Sequence, residues 1–232
     1  MPRTKESSAD HFENDSMELN PAIPCSVSLS DLGHRFGKQE VLKGLQATVH
    51  AREHVVIQGS NGSGKSTLGQ IIAGHLTCSS GEILWKQQDS KGENAASHLV
   101  DIALQTMLMA PASTLHPLLT IHELIAFHGT FRSWWPGLNP HTWIEDSGLS
   151  NHLQSSYSAL SSGMQQRVKL VLALATQSAL LVLDEPCVNL DASGIAWYQD
   201  CLKWMSPQCT VVVCSNNREE DHLAATQTIV LD

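Results

Sequence analysis

The 232-residue chain has little that would anchor a metal, a disulfide framework or a nucleic acid. Its six cysteines, at 25, 78, 187, 201, 209 and 214, form no CxxC pair and no other ligand-like spacing, the pattern of scattered reduced thiols. The twelve histidines are equally dispersed. His50 and His54 stand close in VHAREHVV, but that stretch reads as two strands around a turn and not as one metal-binding helix face. Basic charge is scarce: 14 Lys and Arg face 23 Asp and Glu, and the net −9 argues against an electrostatic nucleic-acid binder. Long apolar runs are also missing. The longest, LVLALATQSALLVL at 170–183, is too short to span a bilayer. The polar opening MPRTKESSADHFENDS lacks the apolar segment of a secretory signal. The chain therefore reads as soluble and cytoplasmic, so any work at a membrane requires another chain.

What is present is alternation. A composition of 42% apolar and 16% charged residues at this length suits one domain with a sizeable core. Residues 1 to about 22 read as a disordered polar tail, with either Met1 or Met17 as the start. From Ser26 the β-like runs SVSLSDL, LQATVH, HVVIQG and GEILW follow, with a helical LGQIIAGHL before the last of them. Strand-like TMLMA (106–110) leads into helical TIHELIAFHGTF and the segment SWWPGLNPHTW. Helical GMQQRVKLVLALAT, buried strand ALLVLD, helical GIAWYQDCLKWM and strand TVVVC complete the series. Strands alternating with helices predict an α/β fold with a parallel sheet, residues 23–232 forming one domain with a helical insertion at about 112–160.

The sharpest chemical signal is GSNGSGKST, comprising Gly59, Ser60, Asn61, Gly62, Ser63, Gly64, Lys65, Ser66 and Thr67. It follows a strand and opens a helix, the context of a P-loop. Its glycines let backbone N–H groups turn inward around a polyphosphate, and the helix N-terminus adds its positive end. Lys65 then reaches the β- and γ-phosphates of ATP, and the Ser66 hydroxyl ligates Mg²⁺. The second signal is LLVLDEP at 180–186, an apolar strand delivering carboxylates to the sheet's C-terminal edge. Asp184 is placed in the Mg²⁺ shell, and Glu185 is the group that orients or deprotonates the attacking water. Between the two signals, LSSGMQQR at 160–167 sets serines and a glycine at a helix start, a further anion site. Two such sites in one small domain make sense if two copies face each other.

In this order the motifs resemble the nucleotide-binding subunit of the ATP-binding cassette (ABC) family, over roughly residues 26 to 232. The resemblance implies a P-loop NTPase core with a parallel sheet, an N-terminal antiparallel β subdomain and an inserted α-helical subdomain. Phe36 in HRFGKQEVLKGL matches the aromatic that stacks on adenine. LSSGMQQR matches the family signature, so Ser161 and Gly163 would contact the γ-phosphate held by an opposing protomer, making a homodimer the expected assembly. The loop at 189–191 (NLD) matches the one that crosses that interface. The expected activity is ATP hydrolysis driving a transmembrane permease, with the chain peripheral on the inner face of the membrane. The SSGM signature favours export, and no nucleic-acid partner is expected. An ATP-binding dimerisation switch with little hydrolysis is the main alternative, and a cassette of a soluble assembly complex is another.

Two departures bear on this. Counting back from Thr120 in TIHE by the family's usual spacing reaches Ala110 and Pro111 where a glutamine is normal, while Gln105 precedes the strand and reads as structural. In CSNNREED, Asn216 occupies the position of the family's γ-phosphate-sensing histidine, with Asn217 next in the turn. Asparagine keeps a donor but cannot become cationic. A lost electrostatic donor in a transition state costs roughly 10²–10³ in rate, and an amide that still reaches costs less. Trp134, Trp135 and Trp143 read either as packing residues or as a partner surface, and Cys187 has no base beside it in sequence.

Overall fold

The runs that are apolar without alternation lie at the centre of a parallel sheet. The structure, a computed structural model, describes residues 22–88, 94–97, 99–205, 207–216, 218–221 and 225–231. The expected tail, Met17 and Asn217 lie outside the described residues, except that residue 22 is included. In chain order the elements are β1 (Cys25–Phe36), β2 (Gln39–Val49), β3 (His54–Gly59), α1 (Lys65–Ile72), β4 (Ser80–Gln88), β5 (Asn94–Ser97), α2 (Leu99–Gln105) and β6 (Thr106–Met109). There follow α3 (Ile121–Gly129), α4 (Pro140–Ile144), α5 (Ser162–Ala175), β7 (Leu180–Asp184), α6 (Ala192–Met205), β8 (Thr210–Ser215) and β9 (Gln227–Leu231). Five strands form a parallel sheet in the order β6-β7-β8-β3-β9, and β2-β1-β4-β5 form an antiparallel one.

The parallel sheet is covered on both faces, so successive residues of its strands point into two different cores. Val55, Ile57, Val182, Val212 and Cys214 pack with Leu68, Ile71 and Ile72 of α1. Their neighbours Val56, Leu181, Leu183, Val211 and Val213 pack with Leu170 and Leu174 of α5 and Tyr198 and Leu202 of α6. The antiparallel sheet closes over the first core through Val27, Leu29, Leu42 and Trp85. The Trp85 indole donates to the carbonyl of Ile72 at 2.9 Å. Gly81 (φ +73°) is required where β4 pairs with the bulge of β1, because a Cβ there would lie 2.2 Å from the Asp31 carbonyl oxygen.

A third core belongs to the helical segment between β6 and α5. Ile121, Leu124, Ile125, Ile144, Leu149 and Tyr157 pack against Val168, Val171 and Leu172 of α5. Its first helix begins with a reciprocal cap: Glu123 N–H donates to Thr120 Oγ1 at 3.2 Å, and Thr120 N–H donates to the Glu123 carboxylate at 2.8 Å. The segment rejoins the core where Trp135 N–H donates to the Ala175 carbonyl at 3.1 Å. Trp135 is buried and Trp134 stacks on His128 at 5.2 Å, whereas Trp143 lies only half-buried. Among the described residues no helix is long and apolar enough to cross a membrane, and none of the His, Cys, Asp and Glu side chains gather into a group of three or more that would hold a metal.

Candidate functional site: a phosphate loop facing two carboxylates and an asparagine

The loop between β3 and α1 is built by backbone conformations that only glycine adopts without strain. Gly62 and Gly64 have φ +86° and +97°. A Cβ on Gly64 would come within 2.7 Å of Leu42 Cδ2 and 3.1 Å of the Val41 carbonyl. A Cβ on Gly59 would lie 2.4 Å from Ser63 Oγ and 2.6 Å from the Leu231 carbonyl. The loop is thus wedged between β9 and the hairpin of β1 and β2. Ser60, Asn61, Gly62 and Ser66 are exposed, and Ser63 and Thr67 are half-buried. Lys65, only 5% exposed, folds back so that Nζ donates to the carbonyls of Gly59 (2.9 Å) and Ser60 (2.8 Å). Phe36 projects from the end of β1, 54% exposed, with its ring edge-on to His34 at 4.6 Å. It sits on the same hairpin whose Val41 and Leu42 abut Gly64.

The last residue of β7 faces this loop. Asp184 is 5% exposed, and its Oδ1 has no hydrogen-bond partner among the described residues. Burial raises its pKa; the Ser66 hydroxyl bonds the same carboxyl and opposes the rise, Glu185 adds to it, and Lys65 opposes it. An unpartnered buried carboxylate oxygen beside a serine hydroxyl at a helix start is the donor set that suits an oxygen-loving cation such as Mg²⁺. Glu185 takes a left-handed conformation (φ +49°), held by its N–H donating to the Cys214 carbonyl at 2.9 Å. Asn216, just past β8, donates from Nδ2 to Glu185 Oε1, while its own Oδ1 is buried without a partner among the described residues. Two residues 31 apart in sequence are thereby joined at the edge of the sheet.

The signature residues form a second depression of about 590 Å³, lined by Ser161, Gly163, Arg167, Asn189 and Asp191 but by no residue of the phosphate loop. Ser161 caps α5, its Oγ accepting from Met164 N–H at 3.3 Å. Gly163 lies so close to the 189–191 loop that a Cβ would sit 2.6 Å from the Asn189 carbonyl oxygen. The structure therefore brings Lys65, Ser66, Asp184, Glu185 and Asn216 together and leaves Ser161 and Gly163 elsewhere on the same protomer.

Two residues of LSSGMQQR have structural positions that the motif alone does not reveal. Gln166, buried, donates to the Pro186 carbonyl at 2.9 Å and to the Glu185 carbonyl at 3.4 Å, fixing the turn that carries the carboxylates. Arg167 donates to the Ser147 carbonyl, to Asp191 and to Ser193 Oγ, tying α5 to the helical segment and to the start of α6. Gln105 closes α2, where its side chain accepts from Gln87 Nε2 at 2.8 Å, and Ala110 follows the end of β6. The Cys187 thiol is buried and its pKa is pushed up by burial and by Asp221, so it is no nucleophile at neutral pH.

Comparison with known proteins matches residues 42–188 to the family described as ABC transporter. The chain is 30% identical over 208 residues to an aliphatic sulfonates import ATP-binding protein of Pseudomonas entomophila, covering 89% of this chain and 73% of that one. It is 28% identical over 217 residues to an ATP-dependent lipid A-core flippase of Francisella tularensis, covering 88% of this chain. It spans only 34% of that flippase's length. A solved ATP binding subunit of an ABC transporter superposes with a TM-score of 0.72 at 22% identity, covering 88% of this chain and 85% of that one. A bacterial Atm1-family ABC exporter with ATP bound gives 0.74 at 20% identity, covering 92% of this chain and 38% of that one. Family match, α/β architecture and motif order agree: this chain belongs to the ABC transporter family, as an ABC nucleotide-binding cassette.

Proposed function

We propose that this cassette binds and hydrolyses MgATP as one of two facing copies and thereby energises a separate membrane permease. The observation that carries the reading is the convergence of Asp184, Glu185 and Asn216 on the phosphate loop, with the Asn216 amide holding one oxygen of Glu185. Lys65 exchanges its two loop carbonyls for the β- and γ-phosphates, and the backbone N–H groups of residues 60–65 wrap the polyphosphate. Phe36 offers its exposed face to the adenine. Ser66 and Asp184 are the residues that would hold Mg²⁺, which when bound neutralises charge on the phosphate oxygens. Glu185 orients the attacking water, and the Asn216 amide fixes the carboxylate's rotamer while leaving its second oxygen for that water. Ser161 and Gly163, remote from the loop of their own protomer, complete the site of the opposing copy.

An exposed apolar patch supports a permease partner. Phe127 and Phe131 stack edge-to-face at 5.3 Å on the helical segment, and the adjoining Arg132 ties down the carbonyl of exposed Leu104. Such docking would place the chain on the inner face of the membrane. The SSGM signature supports export, while the relatives named above include both a flippase and an import protein.

A second reading, an ATP-driven dimerisation switch, is favoured by the same hydrogen bond: an amide on Glu185 in place of an imidazole leaves no cation at the sensor position. Steady-state MgATPase of the wild type and of Asn216→His separates the two. Turnover well above background that does not rise in the variant supports the hydrolase. Background turnover that rises by roughly 10²-fold in the variant supports the switch.

A further inference from the structure

Three of the chain's six tryptophans line one groove that has no part in the nucleotide site. Trp197 and Trp204 lie seven residues apart on one face of α6, with Cys201 between them. Such a stripe normally turns inward. Here Cys201 forms a buried floor, Trp197 is half-buried, and Trp204 is 41% exposed. Trp143 of α4 borders the same groove and touches Trp204 directly, ring to ring at 5.5 Å and 80°. Trp135, beneath, meets Trp204 at 6.3 Å and 81°. Trp143, Trp197 and Trp204 thus border a single volume of about 760 Å³, within the roughly 300–1,000 Å³ usual for small-molecule sites.

The charge of the groove selects the ligand. Its only ionisable acids are Asp146, in the turn after α4, and Asp200 of α6. Asp146 makes no ion pair among the described residues, and Asp200 pairs only with Lys203, at 2.8 Å and in the open solvent where such a pair is weak. Both carboxylates add to the effect of burial in raising the Cys201 thiol to about 12, so their fields meet at the groove floor. Apart from Lys203, which pairs with Asp200 from outside the lining, no arginine or lysine opposes them among the groove's lining residues. Two carboxylates beside three clustered indoles suit an alkylated ammonium, which is attracted to aromatic rings and needs no hydrogen-bond acceptor.

We propose that the groove between α4 and α6 is a binding site for a small alkylated ammonium cation, with Trp143, Trp197 and Trp204 as its walls and Asp146 as its counter-charge. Because α4 belongs to the helical segment and α6 to the sheet core, such a ligand touches both at once. The site is independent of nucleotide chemistry and does not rest on hydrolysis.

The test is a titration of the full chain with choline, against 3,3-dimethylbutan-1-ol as the uncharged probe of the same shape, read by tryptophan fluorescence and by calorimetry. Saturable choline binding at least about tenfold tighter than that of the alcohol is expected. Asp146→Asn and Trp204→Ala should each weaken choline about tenfold without changing binding of the alcohol by as much. Both positions are exposed, and the conservative Asp146→Asn keeps the test intact if the tryptophan variant does not fold. Equal affinity for the two probes, absence of saturation, or choline affinity unchanged in Asp146→Asn would overturn the proposal.

Discussion

Among the described residues, replacing Asn216 by alanine removes one side-chain hydrogen bond, the one that its amide donates to Glu185 Oε1. A hydrogen bond to a charged acceptor contributes about 1.5–3 kcal/mol. If its whole value lies in keeping the carboxylate aimed at water in the transition state, kcat falls by roughly 10- to 150-fold. ATP affinity should change little, because among the described residues the Asn216 side chain bonds Glu185, while Lys65 bonds the loop carbonyls of Gly59 and Ser60. Asn216→Asp sharpens the case. It keeps the shape but sets a second carboxylate against Glu185, so the loss in kcat should be at least as great, with a displaced pH profile. The assay is steady-state phosphate release over a range of ATP concentrations, with nucleotide affinity measured separately. Wild-type kcat in Asn216→Ala would refute the positioning argument, and an increase would mean that the amide holds Glu185 idle.

Two further consequences concern other parts of the molecule. Gly163→Ala drives a Cβ to 2.6 Å from the Asn189 carbonyl oxygen, so it should displace the signature from the 189–191 loop and reduce turnover at least about tenfold. Monomeric ATP binding should remain; equal loss of binding would contradict the separation of the two depressions. His54 is fully buried with neither ring nitrogen partnered among the described residues, and desolvation lowers its pKa from 6.5 to about 4. The unfolded chain therefore takes up the proton first as pH falls below 6.5, so this group's contribution is intact above that pH and declines toward pH 4. The loss at pH 5 is about 2 kcal/mol, read as a lower urea midpoint, and His54→Leu should flatten that part of the profile.

The parts of the fold that were legible in the sequence are those written contiguously. LLVLD and TVVVC are apolar at every position because each lies between two helical layers, and the phosphate loop announces itself between a strand and a helix. β9 and the second half of β1 were not anticipated. β9 is an edge strand with half-exposed residues, and β1 carries polar residues through its bulged outer end. Within the site, Asp184 follows from its strand, whereas Asn216 needed a family resemblance to be noticed at all. Its bond to Glu185 is a contact between separate strand ends that no local pattern encodes. Gln166 and Arg167 stood inside a recognised motif, but their partners at Pro186, Ser147 and Ser193 lie on other elements. The tryptophan groove was hidden for the same reason, since Trp143 and Trp204 come from separate helices and meet only in the folded chain.

The central claim is that Glu185 performs hydrolysis at a nucleotide gripped by residues 59–67. Glu185→Gln tests it most directly, because glutamine keeps the side-chain shape and an oxygen to accept from Asn216 but loses the basic carboxylate. Phosphate release under saturating MgATP should fall by roughly 10²–10⁴ while ATP affinity is retained. Turnover equal to the wild type would contradict the assignment.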